Sequence, residues 1–176
     1  MAAWAESVAA ETDGEVIVVG ASMGGYCALA LARLVPERVR GLLLVGTRPD
    51  ADSPERRAGR ADTIDLIRGE GPDGLWASMK SKLFHDPSQA HSELEFRDPD
   101  LLVEAVEAIR DREDSTDVAR ELAGRVRFVV GEFDPFVSAA ELSEFDVQEI
   151  PEAGHLLNLE LPDVFNSVLR EFLDIV

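Results

Sequence analysis

A serine lies between two glycines, at the junction of a predicted strand and a predicted helix. Ser22 stands in Gly20–Gly24, which reads Gly-Ala-Ser-Met-Gly, after the apolar run Val16–Val19 and before the helical run Tyr26–Val35. This order is typical of a nucleophile elbow, which projects a serine hydroxyl from the end of a sheet. Because the backbone of such a serine is strained, we expect glycine at positions 20 and 24 to remove crowding by a Cβ. The turn should also direct the backbone N–H of Met23 at the position of an oxyanion.

Two further candidates for acyl-transfer chemistry follow predicted strands later in the chain. Asp134 follows the run Val126–Val130, and His155 follows the run Val147–Ile150. Serine, acid and histidine in this order can form a catalytic triad. In that arrangement the serine attacks an acyl carbonyl, the histidine takes its proton, and the acid holds the imidazole in the required tautomer. We therefore predict Ser22, Asp134 and His155 as the catalytic residues.

Each motif has a simpler interpretation when it is taken alone. A serine between glycines could bind phosphate, but no lysine follows it, and the glycine spacing differs from that of a P-loop or a dinucleotide-binding turn. Asp134 precedes a proline and could belong to an ordinary turn, and His155 alone could be an ordinary loop residue. Glu132 is an alternative acid. The joint occurrence of the three residues in the expected order favours the triad.

The segments around these residues resemble the α/β-hydrolase superfamily. Gly131–Phe136 is similar to the loop that carries the acid after the family's seventh strand, and Pro151–His155 is similar to its histidine loop. Pro36–Val45 resembles the sixth strand, and Asn158–Phe165 resembles the last helix. The likeness is greatest to small esterases, lactonases and cofactor-free haloperoxidases. It implies a triad that acts without a cofactor or a metal ion.

The resemblance implies an α/β fold with three layers. A short, mostly parallel sheet would carry the nucleophile, with helices on both faces, and residues 1–176 would form a single domain. Residues 49–122 show helical patterns but no strand pattern, so we expect them to form a small helical cap inserted in this domain. Trp76, Met79 and Phe84 either line the acyl pocket or pack the cap onto the body.

The predicted cap contains recognisable helix boundaries. Ser53-Pro54 predicts the start of one helix, and the stretch 69–74, which contains a proline, predicts its interruption. Leu75, Met79 and Leu83 follow with helical spacing. Asp98-Pro99 predicts the start of a further helix after a polar connection.

The chain departs from the family pattern before the nucleophile strand. Only residues 1–14 precede that strand, and they predict one helix with Trp4 and Val8 on one face. The resemblance implies further strands there and a loop with a second oxyanion donor, whose loss lowers kcat by about 10²–10³. We expect Val16–Val19 to form an edge strand that pairs with a second copy of the chain or with a companion polypeptide. A truncated gene product is the alternative explanation.

Composition limits the function further. The 176 residues include 35 acidic and 17 basic side chains, and the net charge of −18 argues against binding to nucleic acid or to an anionic membrane. The single cysteine, Cys27, excludes an internal disulfide and fits a reducing compartment. With no basic leader and no apolar run of spanning length, we expect a cytoplasmic protein. His85 and His91 fit no metal-binding spacing.

Two classes of function are compatible with these observations. The first is a serine hydrolase that cleaves a carboxylic ester or a lactone through an acyl-enzyme. The second is a non-catalytic, hydrolase-like remnant that acts as a binding or assembly subunit. A haloperoxidase that uses the same triad is a variant of the first class, and the sequence does not separate it from an esterase. Arg56, Arg57 and Arg60 form solvated ion pairs in the simplest interpretation, although one of them could orient a substrate carboxylate.

Overall fold

The protein alternates strands with helices, as the sequence predicts. A computed structural model describes residues 1–86, 88 and 98–176. The strands in these ranges are β1 (Val16–Ala21), β2 (Val39–Val45), β3 (Val126–Gly131) and β4 (Val147–Ile150). The α-helices are α1 (Ala2–Glu11), α2 (Met23–Leu34), α3 (Pro54–Leu83), α4 (Pro99–Arg110), α5 (Thr116–Glu121), α6 (Leu157–Glu160) and α7 (Pro162–Leu173), and a 3₁₀ helix spans Ala139–Leu142. None of the helices in the described ranges has the length and apolar character needed to cross a membrane.

The strands form one sheet in the order β1-β2-β3-β4, and every neighbouring pair is parallel. Leu44 in β2 pairs with Gly20 in β1 and with Phe128 in β3. Because parallel strands end at the same edge of a sheet, the loops after β1, β3 and β4 leave from one side. These are the loops that carry the three predicted catalytic residues.

Alternate residues of β2 face opposite sides of the sheet. Leu42 and Leu44 belong to a core cluster that includes residues of α1, α2 and α5, whereas Leu43 and Val45 belong to a second cluster with residues of α7. All four side chains are at most 1% exposed. A strand that is buried on both faces requires a helical layer on each side. The sheet and its two helical layers confirm the three-layer α/β fold.

Three helices, α3 to α5, lie between β2 and β3. Ser53 caps α3 as predicted, because its side chain accepts a hydrogen bond from the backbone N–H of Arg56 at 3.3 Å. The predicted interruption lies at Gly71, whose φ of 68° and ψ of −165° are not helical, directly before Pro72. Most of the polar connection that follows, including His91, lies outside the described residues.

Two details differ from the sequence-based expectation, and the outer position of β1 agrees with it. α2 begins at Met23, three residues earlier than predicted, because the chain enters the helix directly after Ser22. In α1 the buried residue is Ala5, at 1% exposed, whereas Val8 is 39% exposed. The helix approaches its neighbours through small side chains, so the larger ones stay near the surface. β1 is an outer strand of the described sheet, and its Val19 is 44% exposed.

Candidate active site

Ser22 occupies the turn between β1 and α2. Its backbone has φ 50° and ψ −116°, and residues with a side chain rarely adopt a positive φ. The backbone N–H of Ser22 donates to the carbonyl of Val45 at 2.7 Å, and the N–H of Gly25 donates to the carbonyl of Ser22 at 2.9 Å. These two hydrogen bonds hold the strained turn that a nucleophile elbow requires.

Glycines allow the backbone to close around this turn. A Cβ on Gly20 would lie 2.6 Å from the carbonyl oxygen of Gly24, and a Cβ on Gly25 would overlap the side chain of Thr47. At Gly24, a Cβ would meet no atom within 4 Å outside its chain neighbours and its own helix. The crowding predicted at position 20 is therefore present. That predicted at position 24 is absent, because Gly24 lies on the exposed side of α2.

Asp134, His155 and Ser22 form a continuous chain of hydrogen bonds. Nε2 of His155 lies 2.7 Å from Oγ of Ser22, and Nδ1 lies 2.8 Å from Oδ2 of Asp134. The histidine side chain is 5% exposed, and the aspartate side chain is fully buried. A carboxylate beside Nδ1 favours the tautomer with its proton on that nitrogen, which leaves Nε2 free to accept the serine proton. Three residues predicted from separate parts of the sequence therefore meet at one edge of the sheet.

Backbone amides hold the second oxygen of Asp134. Its Oδ1 accepts hydrogen bonds from the N–H groups of Phe136 at 2.8 Å and Val137 at 3.3 Å, so Oδ2 is the oxygen that faces the histidine. Glu132, the alternative acid, is exposed, and its carboxylate accepts a hydrogen bond from the N–H of Glu152 at 3.1 Å. Of the two acids, Asp134 is therefore the one that contacts His155.

The loop between β4 and α6, which carries His155, is anchored by Glu160. The buried carboxylate of Glu160 accepts hydrogen bonds from the backbone N–H groups of His85 and Gly154, both at 2.6 Å. It thereby joins the histidine loop to the segment that follows α3. No pattern in the sequence indicates this role, since a glutamate in a short helix has no local feature that distinguishes it from a surface residue.

Two residues after β2 also position the site, and sequence reasoning missed both. Gly46 has a φ of 55°, and a Cβ there would lie 2.9 Å from the ring of His155. The buried hydroxyl of Thr47 lies within donating distance of two carbonyl oxygens, that of Ser22 at 2.9 Å and that of Val45 at 3.0 Å. A glycine directly after a predicted strand is a signal that could have indicated this close approach.

Met23 is the first residue of α2, so its backbone N–H has no carbonyl partner within the helix. The N-terminus of a helix carries the positive end of the helix dipole. An N–H in this position, next to the serine, is the type of donor that stabilises an oxyanion. The location of Met23 is therefore compatible with its predicted role.

A cleft of about 470 Å³ opens beside the serine and the histidine. Its lining includes the apolar residues Leu75, Met79 and Ile109. Met79 thus lines the cleft, as the sequence suggested. Phe84 is buried and Trp76 is half-buried, and neither is among the described residues that line the cleft.

The lining of the cleft also carries positive charge. The cationic residues that line it are Arg48, Arg56, Arg60 and Lys82, and no acidic side chain is among the described lining residues. Arg57, the third arginine singled out in the sequence, pairs with Asp111 at 2.7 Å and does not line the cleft. Two of the three candidate arginines, Arg56 and Arg60, therefore line the same cleft as the serine.

Two aspartates hold these arginines in place. Asp50 lies 2.6 Å from Nε of Arg48 and 2.7 Å from Nη2 of Arg56. Burial would raise the pKa of Asp50, but hydrogen bonds from the two arginines outweigh burial and lower this pKa below its ordinary value. The carboxylate of Asp52 is fully buried, and it pairs with Arg60 at 3.1 Å.

Cys27 and His85 both pack against neighbouring side chains. Burial raises the pKa of the half-buried Cys27 thiol, which suits a packed residue of α2. His85 stacks on Phe133, with ring centroids 4.1 Å apart. Within the described ranges, no group of histidine, cysteine and carboxylate side chains could hold a metal ion.

Sequence comparison assigns the chain to a family. The family described as the alpha/beta hydrolase family has a sequence model that matches residues 1–168. The chain is 24% identical over 188 residues to a protein of Bacillus subtilis (strain 168) assigned as a 2-succinyl-6-hydroxy-2,4-cyclohexadiene-1-carboxylate synthase. This match covers 90% of the chain and 66% of that protein.

Solved structures share the fold. A thermophilic esterase from Thermogutta terrifontis, with malate bound, is 31% identical with a TM-score of 0.80, over 92% of this chain and 65% of the esterase. A second structure is that of MGS-M2, an alpha/beta hydrolase enzyme from a Medee basin deep-sea metagenome library. It is 14% identical with a TM-score of 0.79, over 93% of this chain and 66% of MGS-M2. At this identity the likeness is one of fold alone. The chain belongs to the alpha/beta hydrolase family. It spans slightly less than two thirds of the length of these relatives.

Proposed function

We propose that this chain carries the catalytic centre of a serine hydrolase that cleaves a carboxylic ester or a lactone through an acyl-enzyme. The observation that supports this proposal most directly is the hydrogen-bond chain from Asp134 through His155 to Ser22. Membership of a hydrolase family and the likeness to an esterase at 31% identity agree with the reaction type.

The first half of the proposed reaction transfers the acyl group to the serine. Nε2 of His155 accepts the hydroxyl proton while Oγ of Ser22 forms a bond to the acyl carbon, which gives a tetrahedral intermediate with a negative oxygen. The backbone N–H of Met23 donates to that oxygen. Collapse of the intermediate breaks the bond to the alcohol oxygen, which leaves with the proton that the histidine holds. In a lactone, the released alcohol stays attached to the acyl chain.

The second half of the reaction frees the serine. A water molecule attacks the acyl carbon while Nε2 of His155 accepts one of its protons. The ester bond to Ser22 then breaks, the histidine returns the proton to Oγ, and the carboxylic acid leaves. Throughout, Asp134 accepts the Nδ1 hydrogen bond and stabilises the imidazolium. These steps use side chains and water, and the scheme invokes no cofactor.

Reaction with a fluorophosphonate tests the proposal. We expect the mass of the intact protein to increase by a single adduct, and we expect no adduct on Ser22→Ala. Ser7→Ala is a matched control, because Ser7 is an exposed serine of α1, and it should keep the adduct. An adduct that persists on folded Ser22→Ala, or none on folded wild-type protein, would contradict the proposal.

We further propose that the free edge of β1 pairs with a second copy of the chain or with a companion polypeptide. In the described sheet β1 is hydrogen-bonded to β2 on one side, and Val19 is 44% exposed. An apolar outer strand has unpaired backbone groups that favour such pairing. Size-exclusion chromatography with light scattering should give the mass of a dimer or a co-purifying complex. A monomer at every concentration tested would be evidence against pairing.

A further inference from the structure

The cleft beside Ser22 differs in charge from the chain as a whole. The chain has a net charge of −18. Four cationic side chains and no acidic ones are nevertheless among the described residues that line the cleft. A concave site lined by one sign of charge concentrates ligands of the opposite sign. This distribution indicates a ligand that carries negative charge.

Arg56 has a hydrogen-bond donor that is not used within the described chain. Its Nη2 donates to Asp50 at 2.7 Å. Its Nη1 is buried and has no partner among the residues that the structure describes. A buried, unpaired donor on a charged group is unfavourable. Because this nitrogen has almost no exposed surface, an anionic oxygen in the cleft would become its acceptor only if the Arg56 side chain, which lines the cleft and is 30% exposed, turned toward the ligand.

Arg60 lies beside Arg56 in α3, and it also has N–H donors that make no hydrogen bond to a described residue. The two residues are four positions apart in α3, so their side chains lie on one face of the helix. Within the described part of the chain, Arg60 is hydrogen-bonded through Nε alone, to Asp52 at 3.1 Å, so its two Nη groups remain for a ligand. Lys82 makes no ion pair with any residue that the structure describes. These side chains form the part of the cationic surface that can accept an anion.

Arg48 provides a contrast on the same surface. Its guanidinium is engaged by Asp50 at 2.6 Å and by Glu141 at 3.0 Å. Both partners are carboxylates, so the charge of Arg48 is already balanced. Arg56 also has two carboxylate neighbours, Asp50 at 2.7 Å and Asp52 at 3.9 Å, but Asp52 is shared with Arg60 and Arg112. The α3 arginines are therefore less fully neutralised than Arg48 and provide the anion-binding capacity of the cleft.

We infer that the substrate of this site is an ester or a lactone that carries a carboxylate, which Arg56 and Arg60 bind while its acyl carbonyl lies against Ser22. This inference rests on the proposed hydrolase function and specifies its substrate class. A planar guanidinium with paired donors matches the two oxygens of a carboxylate. The apolar residues of the cleft lining, which include Leu75 and Met79, suit the carbon skeleton between the two groups.

Two pairs of esters test this inference. In the first pair, para-acetoxybenzoate and its methyl ester differ in the charge on the leaving group. In the second, mono-para-nitrophenyl adipate and its methyl ester differ in the charge on the acyl group. We expect kcat/KM for the charged member to exceed that for the neutral member by about tenfold or more in at least one pair. High ionic strength should reduce this preference, because salt screens the attraction.

Substitutions in α3 identify the residues that are responsible. Arg56→Gln and Arg60→Gln should each lower the charged-to-neutral ratio of kcat/KM by about tenfold. Arg57→Gln is the matched control, because Arg57 lies in the same helix but pairs with Asp111 away from the cleft. The control should keep the wild-type ratio. Lys82→Met, at the exposed end of α3, is a further variant if an arginine variant fails to fold.

Calorimetric titration of Ser22→Ala with the same esters separates this inference from the hydrolase proposal. If the charged esters bind more tightly than the neutral ones, and an added Arg60→Gln removes the difference, the inference is supported even where the wild-type protein hydrolyses neither. The absence of hydrolysis would then overturn only the proposed hydrolase function. Equal binding of both members in both pairs, or a preference that Arg56→Gln and Arg60→Gln leave intact, would overturn the inference, and hydrolysis of the neutral esters would still support the hydrolase function.

Discussion

The two sides of the cleft are built in different ways. The strand side consists of Ser22, Asp134 and His155, which follow three parallel strands and make hydrogen bonds to one another. The helix side consists of Arg56 and Arg60 of α3, which buried or half-buried aspartates hold in place. The strand side depends on backbone geometry at the edge of the sheet, whereas the helix side depends on how one helix packs. Substitutions on the strand side should therefore affect every ester, and those on the helix side should affect charge preference or stability.

The largest effect that we expect in this comparison comes from Asp134→Asn. An amide in place of the carboxylate would donate a hydrogen bond to Nδ1 of His155, which selects the wrong tautomer for accepting the serine proton. We expect kcat to fall by about 10⁴ for charged and neutral esters alike, with little change in the fold. Steady-state kinetics on both ester pairs measures this change.

Glu132→Gln is the control for this substitution, because Glu132 lies in the same loop but is exposed and contacts Glu152. Its kcat should stay close to the wild-type value. If Glu132→Gln abolished hydrolysis and Asp134→Asn did not, the acid of the triad would have to be reassigned. If Asp134→Asn affected charged esters alone, the distinction between the two sides of the cleft would be wrong.

Much of the strand side could be predicted from the sequence, because each residue directly follows a local pattern. Ser22 and His155 are 133 positions apart, yet each follows a short run of residues that becomes a parallel strand. Parallel strands end at the same edge of the sheet, so three local signals suffice to bring the residues together. Glu160 shows the limit of this reasoning, since its three backbone partners come from loops that no local pattern joins.

The helix side could not be predicted in the same way. Arg56 and Arg57 are adjacent and chemically identical, so the sequence alone does not distinguish their roles. In the fold, the rotation between successive helical residues sends Arg56 toward the cleft and Arg57 toward Asp111. Which face of α3 borders the cleft depends on how α3 packs against α4. Packing between two helices cannot be inferred from a short stretch of sequence.

Asp52→Asn tests how the helix side is held. The Asp52 carboxylate is fully buried and contacts Arg112, itself 4% exposed, at 2.7 Å and Arg60 at 3.1 Å. Removing one partner of a buried ion pair leaves uncompensated charge, so we expect a loss of about 3 kcal/mol in the free energy of unfolding and a decrease in Tm of roughly 6–12 °C. Asp111→Asn, which affects an exposed pair with Arg57, should change Tm little. Equal effects of the two substitutions would contradict the structural role assigned to Asp52.

A smaller effect on stability should separate the two glycines that follow Ser22. A Cβ on Gly25 would overlap the buried side chain of Thr47, so Gly25→Ala should lower the free energy of unfolding by about 1–3 kcal/mol. Gly24→Ala adds a methyl group where no other part of the described fold lies within 4 Å, and it should leave stability unchanged or slightly higher. Urea denaturation measures both values. A reversal of this order would show that the close approach of α2 to the end of β2 does not determine the need for glycine.

The smallest effect that we expect concerns Asp50 and depends on pH. Burial raises the pKa of Asp50, but the hydrogen bonds from Arg48 and Arg56 lower it below the ordinary value of 3.8. Because the folded protein then binds this proton less readily than the unfolded chain, the carboxylate stabilises the fold above the ordinary pKa. This contribution is lost as the pH falls through the pKa of the folded state. Asp50→Asn should therefore lower Tm at neutral pH, and the difference from wild type should shrink below a pH of about 4.

Asp65→Asn is the control for the Asp50 substitution, since Asp65 is exposed on α3 and makes no ion pair with a described residue. The difference in Tm between Asp65→Asn and wild type should be the same at neutral pH and below a pH of about 4. A difference for Asp50→Asn that persists in acid would mean that Asp50 supports Arg48 and Arg56 through packing and neutral hydrogen bonds rather than through charge. The helix side of the cleft would then be held in the same way as the strand side, by geometry that does not depend on ionisation. A difference that disappears in acid would confirm that charge holds the helix side in place.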